Sequence, residues 1–149
     1  LYWHFPNKQA MFMALVADAI EANMRQLAVL APDDGDPAEV KQRIAQWIDA
    51  IDEREALPQF GVELEIEARR DPSFRAIHQA MIAKHEAAIA DYLTRYFRKT
   101  GETPVMPIPE LAAALITIFK GFSLACQNRP DAPINSSKVA RVLMGMPVA

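Results

Sequence analysis

The sequence predicts an all-α protein, a bundle of about six helices. Three observations carry this expectation. The 149 residues contain 11 prolines, which leave six proline-free blocks of thirteen or more residues; proline is excluded from helix interiors but welcome in their first turn. Within most blocks apolar residues recur at three- and four-residue steps, the period of one helix face. The composition, 51% hydrophobic and 23% charged with a mean hydropathy of −0.03, is that of a folded globular chain, and the length suits one domain with a sizeable core.

In the first block, Asn7 to Leu30, Phe12, Leu15, Val16, Ala19, Ile20, Met24 and Leu27 form one apolar face. In the second, Val40, Ile44, Trp47, Ile48 and Ile51 stand at i, i+4, i+7, i+8 and i+11. The third, Gln59 to Arg70, includes a run from Val62 to Glu67 that alternates as a half-buried strand would. A lone strand has no partner in an otherwise helical chain, and the Glu, Leu and Ala content suits a helix, so a helix is expected over 60–68. The fourth, Ser73 to Lys99, carries Phe74, Ile77, Met81, Ile82, Ile89, Tyr92, Leu93, Tyr96 and Phe97 on a broad face, with Gly101 placed as a C-terminal stop. The fifth, Glu110 to Asn128, is apolar on nearly every side and must be covered twice. The last, Ile134 to Met146, shows a narrow stripe of Val139, Val142, Leu143 and Met146. Between the first two blocks, 31–37 reads APDDGDP, a polar loop expected to be mobile.

Several function classes are excluded at this level. A net charge of −3 and a pI of about 5.6 argue against a surface that attracts phosphate backbones as a whole, so any nucleic-acid contact is local. The single cysteine, Cys126, permits no internal disulfide or CxxC motif, which fits a cytoplasmic protein. The apolar run Leu111 to Phe119 is too short to span a membrane. His78 and His85 are seven apart on one helix face, without the i, i+3 or i, i+4 pairing or the HExxH pattern of a helical metal site. No Gly-rich phosphate loop or GxSxG nucleophile occurs. No metal, no cofactor and no enzymatic activity are expected. Glu63, Glu65 and Glu67 read most simply as solvated charges, with one able to point inward if the block is helical.

The opening run Leu1-Tyr2-Trp3-His4-Phe5-Pro6-Asn7-Lys8-Gln9-Ala10-Met11-Phe12 resembles the LYxHFxxKxxLF segment that ends the helix-turn-helix domain of the TetR family of bacterial transcription regulators. Two further stretches, Glu65 to Phe74 and Glu110 to Gly121, are similar to weakly patterned parts of that family's C-terminal domain. The resemblance implies that residues 1–6 are the end of an N-terminal DNA-binding domain and that 7–149 form an effector-binding and dimerisation domain. The chain opens without an initiator methionine or signal peptide, and an upstream segment carrying the rest of the helix-turn-helix is expected. The base-reading residues belong to that segment.

Physical chemistry supports this use of the segment. A helix beginning near Asn7 presents unpaired N–H groups and its positive dipole end, and Lys8 adds a charge there. Tyr2, His4 and Lys8 are the expected DNA phosphate contacts, with Phe5 an anchor to the missing domain. If the blocks pack as the family's do, Trp47, Ile51, Phe60, Leu64, Phe74, His78, Met81 and His85 face one interior that suits a small, mainly apolar effector. Either histidine can orient that effector or be satisfied by protein groups. Leu111, Leu115, Phe119 and Phe122 on the fifth helix, with Val139, Val142, Leu143 and Met146 on the last, are candidates for a four-helix homodimer interface. The expectation is therefore a ligand-responsive transcription regulator, a repressor in its commonest form, binding operator DNA and a small effector. The rival is an all-helical enzyme or carrier module that binds a small apolar molecule for its own sake.

Overall fold

The computed structural model describes residues 6–50, 60–129, 131 and 135–148, with the backbone alone at 60, 61, 123 and 126–128. Among them are six helices and no strand: α1 Lys8–Leu30, α2 Pro37–Asp49, α3 Phe60–Arg70, α4 Pro72–Thr100, α5 Ile108–Asn128 and α6 Ser136–Leu143. No described helix is long and apolar enough to cross a membrane.

Local chemistry sets the helix ends. The Asn7 side chain accepts a hydrogen bond from the Ala10 N–H at 2.8 Å, capping α1. Asp36 caps α2 by accepting from the Ala38 and Glu39 N–H groups, both at 3.1 Å, and Asp71 caps α4 through Ser73 and Phe74. Both aspartates precede a proline in the first turn, where its missing N–H costs nothing. At the far end of α4, Gly101 takes φ +71°, a left-handed conformation that a side chain disfavours. The last helix ends in a Schellman motif: Gly145 N–H donates to the Val142 carbonyl at 3.1 Å and Met146 N–H to that of Arg141 at 2.8 Å. The 60–68 segment is helical, because alternating Glu and Leu satisfy a helix once α1 and α4 cover its inner face.

The apolar side chains form two clusters strung along α1 and α4. In the first, Leu27 of α1 meets Val40, Ile44 and Ile48 of α2, Tyr92, Leu93, Tyr96 and Phe97 of α4, Leu111, Ala112 and Leu115 of α5, and Ala140, Met144 and Met146 at α6. In the second, Val16 of α1 meets Leu64 and Ala68 of α3 and Phe74 of α4, with Phe12, Met13, Ile20 and Met81 packed around them. Thus α2 and α6 belong to one end of the bundle and α3 to the other. Arg141 clamps α6 to α2 through a two-pronged pair with Asp49, both bonds at 2.6 Å, and donates to the Pro147 carbonyl at 2.8 Å. The Asp49 side chain is held below the ordinary carboxylate pKa chiefly by this hydrogen bond.

Two expectations are revised by the packing. The polar loop 31–37 is tied down: the Lys99 ammonium donates to the Pro32 carbonyl at 2.9 Å and also to that of Asp33, and Gly35 N–H closes a turn on Pro32 at 3.1 Å. The inward face of α6 is not its large apolar stripe but Ser136, Ser137 and Ala140, continued by Met144 beyond the helix. Small residues let α6 approach its neighbours closely, and the helix stops at Leu143, so Met146 reaches the core from the turn beyond it.

Candidate functional site

The inner face of α4 carries polar groups where an apolar side chain would be expected. His78 and His85, 5% and 8% exposed, stand two turns apart and so point the same way. At His78 the ring stacks on Phe74, centroids 6.2 Å apart and planes 27° apart. Its Nε2 lies 3.8 Å from Glu65 Oε1 on α3, and the same oxygen accepts a hydrogen bond from Lys120 Nζ of α5 at 2.8 Å. Three helices therefore contribute to one cluster of Glu65, His78 and Lys120, with His85 two turns further along α4. His85 stands on α4 between Met81, which packs on the second apolar cluster, and Ile89, which packs on the first. Its Nε2 is buried with no hydrogen-bond partner among the described residues.

The electrostatics follow from this arrangement. Burial works to raise the Glu65 pKa, but the Lys120 hydrogen bond and charge, with His78 and Arg69 adding less, outweigh it and hold the carboxyl below its ordinary range. Burial lowers the His78 pKa, opposed by Glu65 and assisted by Lys120. Burial also lowers that of His85, again with help from Lys120. At neutral pH both imidazoles are uncharged, and the cluster's fixed charges are one carboxylate and one ammonium.

These shifts predict a pH dependence of stability. An unfolded His85 takes its proton near the ordinary value of 6.5, whereas the folded one resists it. Above pH 6.5 neither state is protonated and stability does not change with pH through this group. As pH falls below that value the unfolded chain gains the proton first, so stability declines until the folded pKa is passed. Replacement His85→Phe is expected to flatten this limb in urea denaturation between pH 7.5 and 5, whereas an unchanged slope would mean His85 is not buried uncharged.

The cluster brings together part of the expected pocket. Leu64, Phe74 and Met81 share the second apolar cluster, and His78 stacks on it. Trp47 instead packs against the first cluster, at the end of the bundle away from α3, because the α2 face that buries Ile44 and Ile48 turns toward α4 and α6. Ile51, and the side chain of Phe60, lie outside the described residues, as do Tyr2 and His4. Lys8 is exposed on the first turn of α1, its ammonium 5.1 Å from the centroid of the Phe12 ring.

Of the residues considered for an interface, Leu111, Leu115 and Met146 are buried in the protomer's own core, and Phe119 and Leu143 pack partly against it. Phe122 and Val139 are half-buried, and Val142 is 59% exposed. Tyr92 OH and Tyr96 OH, in the first core, and Glu102 Oε2 are also buried without hydrogen-bond partners among the described residues. Burial pushes the Tyr96 phenol up to about 12, with the Glu102 charge assisting. The other oxygen of Glu102 pairs with Lys41.

Glu65 and Lys120 were not singled out as site residues by the sequence reasoning. A signal exists for Lys120: it is the one charged residue between Glu110 and Arg129, on a helix otherwise built to be covered. Glu65 gives no such sign, since it sits in a row of alternating glutamates. Among the described residues no group of three His, Cys, Asp or Glu side chains is placed to hold a metal ion. No protein-family model, curated protein or solved structure matches the chain. The fold is all-α, and between α3, α4 and α5 a partly exposed ion pair, Glu65 and Lys120, stands beside the buried His78.

Proposed function

We propose that the chain is the effector-binding and dimerisation part of a homodimeric, ligand-responsive transcription regulator, a repressor of the TetR kind that its opening segment resembles. It works without catalysis, in the cytoplasm, and residues 1–6 close its DNA-binding domain. The observation that carries this reading is the course of α1. The helix starts directly after the LYWHFPN segment and runs over the α3 and α4 residues that surround the polar cluster. Its first turn is joined to α3 by a hydrogen bond from Gln9 Nε2 to Glu67 Oε1 at 2.7 Å. Val16, Phe12, Met13 and Ile20 pack beside Leu64, Phe74 and Met81.

An effector acts in this scheme only by binding two arrangements of α1 with different affinity. A small molecule seated beside His78 or His85 shifts α3 and α4, and α1 passes that shift to the DNA-binding unit attached to its start. In a dimer the shift alters the spacing between two such units, which have to match two operator half-sites.

Lys8, beside the capped N-terminus of α1, positions the protein on a phosphate without reading sequence. In the protein expressed from its complete reading frame, Lys8→Ala is expected to weaken operator and random DNA alike. It should also reduce the slope of log affinity against log salt by about one phosphate contact. A change of base preference at unaltered nonspecific affinity would contradict this role.

A further inference from the structure

One carboxylate oxygen, Glu65 Oε1 of α3, is addressed by nitrogens from two other helices. Lys120 Nζ of α5 donates to it at 2.8 Å. His78 Nε2 of α4 stands 3.8 Å from it, too far for a hydrogen bond. The two nitrogens differ in their access to water, since the His78 side chain is 7% exposed and that of Lys120 32%. With His78 neutral, the oxygen has one cation beside it. Uptake of a proton from solvent by His78 gives it two.

Burial decides which of them keeps it. An imidazolium enclosed by protein and stacked on Phe74 does not reach water, and a buried charge without a partner is costly. Lys120 does reach water, and a partly exposed lysine–carboxylate pair is given up at small cost. We propose that Glu65, His78 and Lys120 form a proton-driven latch: on protonation His78 takes the Glu65 oxygen and Lys120 leaves it for solvent, which undoes a tie between α3 and α5. Departure of Lys120 removes a repulsion from the imidazolium, so proton uptake and release of the lysine reinforce each other.

The helix α3 keeps its other attachments through this exchange. Arg75 of α4 donates to the Ala68 and Arg69 carbonyls at 2.7 and 2.9 Å, and Gln9 of α1 donates to Glu67. Among the described residues α5 contributes nothing to the apolar cluster that holds α3, so release of Lys120 loosens α3 from α5 alone.

The charges acting on His78 are Glu65 of α3 and Lys120 of α5, and Arg69 of α3 reaches it through Glu65. The α1 side chains packed at this end, Phe12, Met13, Val16 and Ile20, carry no charge. On α4 itself, Arg75 is bonded to carbonyls and His85 is two turns away. Burial outweighs the pull of Glu65 and places proton uptake by His78 below its ordinary value of 6.5. Glu65 meanwhile keeps its charge down past its own ordinary value of 4.5. The exchange therefore belongs to pH below 6.5 and requires Glu65 still ionised. The folded chain takes this proton later than the unfolded one, so the latch opens on the limb where stability declines.

The test is an NMR titration of the chain from about pH 7.5 to about pH 4.5, following the imidazole C–H signals and the 15N signal of the Lys120 ammonium. The Lys120 signal is expected to shift with the same midpoint as the His78 ring. In His78→Phe, which keeps an aromatic ring against Phe74 and takes no proton, that step should vanish. Glu65→Gln should lower the His78 midpoint by about half a pH unit or more, and Lys120→Met should raise it by about as much. A Lys120 signal that does not follow His78, an unchanged His78 midpoint in Glu65→Gln, or unfolding seen by circular dichroism before His78 takes its proton overturns the proposal. The two midpoints of the native chain carry the test where a variant fails to fold.

Discussion

Leu111→Ala is expected to lower the stability of the chain by about 2–5 kcal/mol, against a total of about 5–15 kcal/mol for an ordinary domain. The Leu111 side chain is 0% exposed, on the first turns of α5, where the first apolar cluster gathers α2, α4, α5 and α6. Removing most of it loses the transfer free energy of the buried atoms and opens a void. The neighbouring Ala112 and Ala140 are too small to fill that void by changing rotamer. Urea denaturation checks this: the midpoint should fall sharply while the slope stays constant. Val29→Ala, at a position 75% exposed on α1, should stay within about 0.5 kcal/mol of the native protein. A Leu111→Ala loss below 1 kcal/mol would mean that α5 is not the central helix of this core.

In the proposed homodimer, Val142→Asp is expected to separate the protomers without unfolding them. The inner side of α6 is spent within the protomer on Ser136, Ala140 and Met144. Val142 is 59% exposed on the other side, and Leu124 of α5 and Val148 are also exposed. With Leu111, Leu115 and Met146 committed to the protomer's core, the proposed interface is left with the outer side of α6, where Val142 is exposed. A carboxylate at its centre would be desolvated without a partner on association. Light scattering at micromolar concentration should give twice 16.6 kDa for the native chain and the protomer mass for the variant, with an unchanged helical spectrum. A native chain at the protomer mass would remove the homodimer from the account.

Much of the fold is legible in the sequence because helix ends are written locally. Asp36-Pro37, Asp71-Pro72 and Gly101 mark their boundaries by capping and by a left-handed turn, all decided within a few residues. The α3 segment needed an argument from context, since Val62 to Glu67 has the alternation of a strand and only the absence of a partner strand decides for a helix. Packing partners were less legible. Trp47 shares an interior with Leu64 and Phe74 only if the blocks pack as the resembled family's do, and spacing within a helix says nothing about which end of a bundle it joins. On α6 the larger residues drew attention, while close approach selected Ser136 and Ala140. The candidate site shows the same division. His78 and His85 stand out as polar residues on an apolar face, and Lys120 as a lone charge in an apolar helix. The Glu65 bond to Lys120 depends on how α3 and α5 are each placed on α4, which no local pattern encodes.

The central claim is that this bundle governs a DNA-binding unit, and the most direct measurement is of DNA itself. The protein expressed from its complete reading frame is used to select duplexes from a random pool, and the affinity for the selected duplex is compared with that for random DNA at physiological salt. The account predicts a selected site with two symmetric half-sites about one helical turn or a multiple of it apart, bound about a thousandfold or more tighter than random DNA. Equal affinity for selected and random duplexes, or no binding to either, would contradict it.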